Sequence, residues 1–435
     1  MDSLWMVLGV MGLIFIVLGA GTWVFSGLLL VAMGSLVVLG DFSFHRVGVI
    51  LSKILFRAGN SWELSAIPLF ILMGELIFRS DISERLFKGL EPFANKIPGG
   101  ILHTNVLGCT LFAAVSGSSA ATTATIGKIT TQELANRGYD RTLSIGSLAG
   151  AGSLGLLIPP SIVMIVYGVQ AEVSISKLFM AGIIPGLIVA ALYIGYLMIQ
   201  ASISPEKAPR TKGSEQSFLT SIRLLSPVLL LIGIVIGSIY SGIATPSEAA
   251  AVGVAAALIL LLIERQLSFE LFKEALKATV ISSVMVCSIL VCAALLSTAV
   301  GYLHIPQELA AVIADMNLSP GALILILAVF FVILGLFLDG ISITVMALPI
   351  MLPLVLQAGF DPIWFGIFLV IMVELGQITP PVGFNLFVLQ GLTGESMGRV
   401  AVAAFPFFAL MCVAALIITV WPNLVTFLPE LLSRS

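Results

Sequence analysis

The chain reads as an all-α polytopic membrane protein made of two inverted repeats, and three observations carry that reading. Of its 435 residues 59% are hydrophobic and only 10% charged, with a mean hydropathy of +1.14; soluble domains carry about 25% charged residues. Apolar runs long enough to span a bilayer recur along its whole length. The third is a pair of matching stretches, GSLAGAGSLGLLIPPSIVMIVYG from Gly146 to Gly168 and VELGQITPPVGFNLFVLQG from Val373 to Gly391. In them Gly155-x-x-x-Pro159-Pro160 returns as Gly376-x-x-x-Pro380-Pro381, 221 positions later.

Proline removes a backbone donor and clashes with the preceding turn. It also pushes the residue before it, here Ile158, away from helical geometry. A membrane helix through either stretch should therefore break, leaving peptide groups unpaired at membrane depth. Such backbone is tolerated only where it is buried in protein or lines a cavity. One such stretch is an ordinary proline kink. Two, at corresponding places in two halves, point to a transporter binding site.

Repeat 1 covers 1–201. Residues 4–20 and 23–39 are two membrane helices, the first retained because the N-terminus lacks the basic region of a cleavable signal. Residues 42–57 set Val47, Ile50, Leu51, Ile54 and Leu55 against Arg46, Lys53 and Arg57, the pattern of a helix lying in the membrane interface. Residues 62–78 span again and end the scaffold part, 1–82. In 83–138 the polar centre AAVSGSSAATTATIG is better satisfied in a re-entrant hairpin with its tip at Ser116–Ser119 than in a spanning helix. A broken helix over 141–169 and a last helix over 176–201 follow. Residues 202–219 are a polar linker.

Repeat 2, 220–435, runs through the same plan. Spans fall at 224–240, 243–263 and 280–300, with an amphipathic arm at 269–277, within a scaffold part of 220–303. A hairpin over 306–357 has its tip in FLDGIS; a broken helix covers 361–391 and a last helix 396–425. Each half has five full crossings plus a hairpin that returns to its own side, so the second half enters from the opposite face and the repeats are inverted. Of the 20 lysines and arginines, 14 then fall on one face and five on the other, with Lys128 inside the first hairpin. The positive-inside rule makes the first face cytoplasmic and puts both termini outside.

Two tips and two breaks are expected to meet near the bilayer midplane. A hard cation such as Na⁺ takes oxygen ligands, which peptide carbonyls and the hydroxyls of Ser116, Ser118, Ser119, Thr344 and Thr379 can supply. The competing reading of the Ser116–Ser119 stretch is small-residue helix packing. Asp339 and Glu374 are acids in apolar sequence. Either can bind Na⁺, relay a proton or fix a hairpin through backbone N–H groups. Ser161 and Asn385 stand near the N-termini of the half-helices that begin after Pro160 and Pro381, where they offer a hydroxyl and an amide to a carboxylate; Ser153 joins them as a substrate candidate. Neither broken segment has a basic residue at its centre.

Other features carry less. Glu248 in ATPSEAAAVG suits a helix cap, and pairing with a nearby base accounts for Glu75. His45, His103 and His304 are scattered, and the four cysteines lack metal-ligand spacing. A net charge of −3 gives no sign of nucleic-acid binding. No Walker motif is present. An intramembrane serine hydrolase would need a base beside Ser116, and only His103 is near in sequence; the chain is read as a transporter, not an enzyme.

Five stretches together resemble the large membrane subunit of tripartite ATP-independent periplasmic (TRAP) transporters, the DctM-like family. They are IPLFILMGELI from Ile67, AAVSGSSAATTATIG from Ala113, GSLGLLIPPS from Gly152, GIATPSEAAAVG from Gly242 and ELGQITPPVGFNLFV from Glu374. The resemblance implies a Na⁺-driven importer of an organic acid such as a C4-dicarboxylate or sialic acid, in the bacterial inner membrane. A periplasmic substrate-binding protein would deliver the solute, and a small four-helix membrane subunit would brace the permease. Hairpins and broken helices would move as an elevator against the scaffold. Carried over, one Na⁺ site would use the tip at Ser116, Gly117, Ser118 and Ser119 with Gly152, Gly155 and Pro159. The other would use Gly340 and Thr344 with Gly376, Thr379 and Gly383. The alternative is a stand-alone Na⁺/dicarboxylate carrier of similar architecture.

Overall fold

The computed structural model describes residues 9–10, 12–14, 16–17, 20–209, 217–308, 319–380 and 383–433, and among them every regular element is helical. Most of the span expected at 4–20 lies outside the described residues, as do 210–216 of the linker, 309–318 of the second hairpin region and Pro381.

After α1 (Val24–Gly34) and a π-turn over Ser35–Leu39, α2 (Phe44–Gly59) starts at Ser43, whose hydroxyl accepts from Arg46 N at 3.3 Å. This helix buries Val47 and exposes Arg46, Lys53 and Arg57. The chain then bends by 54° into a 3-10 turn (Trp62–Ser65) and α3 (Ala66–Phe78), where Glu75 pairs with Arg79 at 3.1 Å.

The first hairpin is shorter than 83–138. Its opening part is a separate amphipathic helix, α4 (Ile82–Ala94), cut off ahead of Pro98, Gly99 and Gly100. Both glycines take positive φ, 108° and 53°, which a side chain would resist. The hairpin arms are α5 (His103–Ser116) and α6 (Ser119–Asn136). The broken helix is α7 (Arg141–Gly152) and α8 (Ile162–Gln170), followed by α9 (Ile175–Ile203).

In the second half come α10 (Phe218–Tyr240) and α11 (Pro246–Ile263), the latter opened by a capping box between Thr245 and Glu248. Arm and span, expected as two pieces, form one 34-residue helix, α12 (Phe269–Tyr302). No proline interrupts it and its one glycine, Gly301, stands at the end, whereas Gly59, Asn60 and Ser61 break the first half at the matching place. The second hairpin is α13 (Pro320–Gly335) and α14 (Gly340–Gln357); the second broken helix is α15 (Pro362–Gln377) and α16 (Phe384–Thr393). After α17 (Met397–Val420) an unanticipated helix, α18 (Asn423–Ser433), packs on α9.

Among the described residues six helices (α9, α10, α11, α12, α14, α17) are long and apolar enough to cross a membrane alone, or seven spans if α2 and α3 count as one bent pair. The pieces of hairpins and broken helices are mostly shorter. They are held by cross-packing between the halves. α14 lies on α8 and α16 on α6, while α7 runs along α17 and α15 along α9. In lipid such contacts depend on close van der Waals approach and small residues. Gly150 is an instance: a β-carbon there would come within 2.6 Å of Phe407.

Candidate functional site

The first tip is a two-residue turn. α5 stops at Ser116, Gly117 takes φ 59°, and Ser118 caps α6 by accepting from Ala121 N at 3.4 Å. Ser116 Oγ lies 2.7 Å from Thr122 Oγ1. Gly117 O accepts from Ile162 N at 3.4 Å, and a β-carbon at Gly117 would sit 2.8 Å from Pro160 O. The break opposite consists of a 3-10 turn (Ser153–Gly155), a short irregular run and a cis Pro159–Pro160 bond, all at the end of α7. A β-carbon at Gly155 would approach Ser119 Cα to 2.5 Å, and one at Gly152 would overlap Thr123 Oγ1. The expected residues Ser116, Gly117, Ser118, Ser119, Gly152, Gly155 and Pro159 are thus gathered in one place. Ser153 and Ser161 are buried there too, but Ser153 donates to Gly150 O at 2.6 Å and Ser161 accepts from Met164 N at 3.4 Å as the cap of α8.

The second tip is built differently. Asp339 caps α14, accepting from Ile341 N at 3.1 Å, Ser342 N at 3.3 Å and Ser342 Oγ at 2.5 Å. Of the roles left open for this acid, the geometry contains the structural one. A β-carbon at Gly340 would meet Val373 Cγ1 at 2.6 Å, Gln377 Nε2 at 3.2 Å and Leu156 Cδ1 at 3.3 Å, so this tip touches both breaks. Gly376 and Gly335 pass backbone against backbone. Thr344 donates to Gly340 O at 2.7 Å and Thr379 to Leu375 O at 2.6 Å, which leaves their lone pairs available. α16 begins one residue after Gly383, at φ 46°, rather than straight after Pro381. Asn385, in its first turn, is fully buried, and among the described residues neither of its amide atoms has a hydrogen-bond partner. Such an orphan calls for a ligand, ion or water.

Glu374 joins the two parts. It is wholly buried on α15, its Oε1 accepts from Ser119 Oγ and from Leu156 N at 3.1 Å, and Oε2 has no hydrogen-bond partner among the described residues. Sequence reasoning missed Gly335, Leu156 and Gln377. Gly335 carried the only signal, a lone glycine inside an apolar run. No lysine or arginine lies between Lys96 and Lys128, Arg141 and Lys177, or Lys277 and Arg399, so neither tip nor either break supplies a positive side chain. A cavity of about 750 Å³ lies elsewhere, between the α2–α3 bend, the α8–α9 turn, α11 and α12, and takes in none of the expected site residues.

The sequence profile of the tripartite ATP-independent periplasmic transporter, DctM component, matches residues 3–424. The chain belongs to this family. It is therefore a component of a membrane transporter and not an enzyme, which removes the hydrolase reading of Ser116. It is 36% identical over 383 residues to the C4-dicarboxylate TRAP transporter large permease protein DctM of Pseudomonas aeruginosa, covering 88% of this chain and 89% of the relative. The isethionate TRAP transporter permease protein DctMQ of Oleidesulfovibrio alaskensis is 32% identical, with 92% of this chain matching 63% of that longer protein. The sialic acid TRAP transporter permease protein SiaT of Haemophilus influenzae is 30% identical, with 86% of this chain matching 61% of it. Among solved structures the fold is shared with the YdaH transporter of Alcanivorax borkumensis, at a TM-score of 0.65 and 12% identity, covering 87% of this chain and 88% of that one.

Proposed function

We propose that this DctM-type component is the permease of a Na⁺-coupled secondary transporter in the bacterial inner membrane. It imports an organic acid, a carboxylate, delivered by a periplasmic substrate-binding protein, with a small four-helix membrane subunit bracing it. The observation that carries the reading is a set of buried and half-buried oxygen donors at two tips and two breaks with no basic side chain among them. An organic anion in such a place has its charge balanced by helix ends and by bound cations. A helix end contributes about 0.3–2 kcal/mol, which is small against the cost of desolvating an anion; Na⁺ supplies the rest. The donors suit that ion, with hydroxyls at Ser116, Ser118, Ser119, Thr344 and Thr379 and carbonyls at the ends of α5, α7 and α15. The solutes in the relatives' names are all organic acids, and the C4-dicarboxylate relative carries the highest of the three identities given. Asn385, whose buried amide has no partner among the described residues, faces the solute in this reading. The hairpins and broken helices move as one block against a scaffold of α1–α4 and α10–α12, the elevator arrangement, with both termini periplasmic.

Reconstitution tests this. Uptake into proteoliposomes should require an inward Na⁺ gradient, the small membrane subunit and the solute-binding protein together. Uptake by this chain alone would return the stand-alone carrier, and uptake indifferent to Na⁺ would remove the sodium coupling. Asn385→Ala should cut the rate about tenfold, the worth of a hydrogen bond to a charged group, while solute binding to the periplasmic protein stays unchanged.

A further inference from the structure

The two breaks occupy equivalent places, and the second sends a side chain, Glu374, to the first. Glu374 stands two residues before Gly376 and Ser153 two before Gly155, so the 221-residue offset maps one onto the other. Ser153 is short, and its hydroxyl folds back on Gly150 O. Glu374 is long enough to leave α15. Its Oε1 accepts from Ser119 Oγ in the first hairpin and from Leu156 N in the first break, both outside its own half of the chain. Those two donors flank a close approach of tip to break, Gly155 on Ser119. Leu156 also touches the second tip near Gly340. Burial of a carboxyl group at membrane depth is costly, and Oε2 recovers none of that cost through a hydrogen bond. Filling space is no reason for an acid here, because an apolar side chain would do it at lower cost. What the acid adds is one oxygen that two donors from separate elements share.

We propose that Glu374 is a positioning residue for the first cation site. Its Oε1 pins Ser119 and Leu156 together, which fixes the Ser116–Ser119 tip against Gly152–Gly155 with its oxygens turned inward. Because Glu374 rides on α15 less than two turns ahead of Thr379, the pin also ties this cradle to the second break. Occupation of one cation site thereby favours the other. The inference rests on the sodium reading above.

The test uses the reconstituted complex and two readouts, the Na⁺ dependence of uptake and amide exchange at residues 116–121 and 154–158. Glu374→Ala should raise the half-saturating Na⁺ concentration about tenfold, the loss expected for hydrogen bonds to a buried acceptor, and flatten a cooperative Na⁺ curve toward a hyperbola. Exchange in both segments should quicken. Glu374→Gln keeps an acceptor at Oε1 and should restore most of both properties. Glu374→Asp, one methylene too short, should behave like alanine, and it serves if the alanine variant fails to reach the membrane. Wild-type uptake that ignores Na⁺ would remove the sodium reading and this inference with it. A Na⁺-dependent wild type matched by Glu374→Ala and Glu374→Asp would overturn the positioning role alone, as would faster exchange with an unaltered Na⁺ curve.

Discussion

Each half of the chain carries a tip and a break, but the two halves differ in how far these are exposed. In the first half the tip and the break close on each other. Ser116, Gly117 and Ser119 are buried, and so is the backbone from Gly152 to Leu157. In the second half Phe337 at the tip is 65% exposed, Pro380 is exposed, and Phe384 and Phe387 on α16 are about half exposed. Both halves pass backbone against backbone at a glycine, Gly155 on Ser119 in the first and Gly335 on Gly376 in the second. The second adds a carboxylate cap at its tip, Asp339, and its break is exposed at Pro380. By this contrast the first half is the closed side and the second the more open one.

The strongest way to break this comparison is to add one carbon to the closed side. At Gly155 a methyl group would meet only backbone, Ser119 Cα at 2.5 Å, Ser119 N at 2.6 Å and Ser118 C at 2.7 Å, and backbone cannot swing away. Gly155→Ala should abolish uptake and cost about 1–3 kcal/mol of stability, the usual penalty for overpacking. Gly391→Ala, on α16 with open space around it, should change neither. Thermal unfolding in detergent beside uptake in proteoliposomes would show it. A fully active, fully stable Gly155→Ala would mean that the first half is as yielding as the second.

Next in size is the cap on the open side. Asp339→Ala removes an acceptor from two backbone N–H groups and should cost about 0.5–2 kcal/mol. Asp339→Ser should recover most of that. Because the close contacts of Gly335 on Gly376 and of Gly340 on Val373 remain when the cap is lost, uptake should fall several-fold and not vanish. An Asp339→Ala variant as dead as Gly155→Ala would show that the second tip is equally rigid, or that Asp339 touches an ion directly.

Much of this arrangement was legible in the sequence, for identifiable reasons. Proline pairs break helices wherever they occur, so both breaks could be placed from Pro159–Pro160 and Pro380–Pro381. A run of seven small hydroxyl and glycine residues is costly in lipid, which located the first tip. What escaped were features set by contacts between distant parts. α4 looked like the start of a hairpin because its own periodicity does not reveal that its apolar face rests on α10, with Gly89 against Leu225. The union of arm and span in α12 turned on the absence of a breaker after Lys277, a weaker signal than the presence of one after Gly59. Glu374 stood out as an acid in apolar sequence, but three roles remained open until Ser119 and Leu156, 255 and 218 positions away, were found against it.

The smallest effect belongs to a tie between the halves at the rim. Arg141, at the start of α7, donates to Thr393 O at 2.9 Å and lies 3.4 Å from Glu395, which also pairs with Arg399 at 3.1 Å. Arg399, then Arg141, holds the Glu395 carboxyl below its ordinary value of 4.5. The sign follows from linkage. A group whose folded-state pKa is depressed contributes stability that is present above its unfolded pKa and lost as pH falls through the folded one. Glu395→Gln should therefore lower the melting temperature slightly at pH 7. The deficit should persist down to about pH 5, then vanish at lower pH as the wild type protonates too. The site is open to solvent, so added salt should shrink the difference at neutral pH. Potassium chloride is the salt to use, since sodium chloride would also occupy the proposed cation sites. A large loss of uptake in Glu395→Gln, undiminished by potassium chloride, would move the coupling between the halves from the core at Glu374 out to this rim.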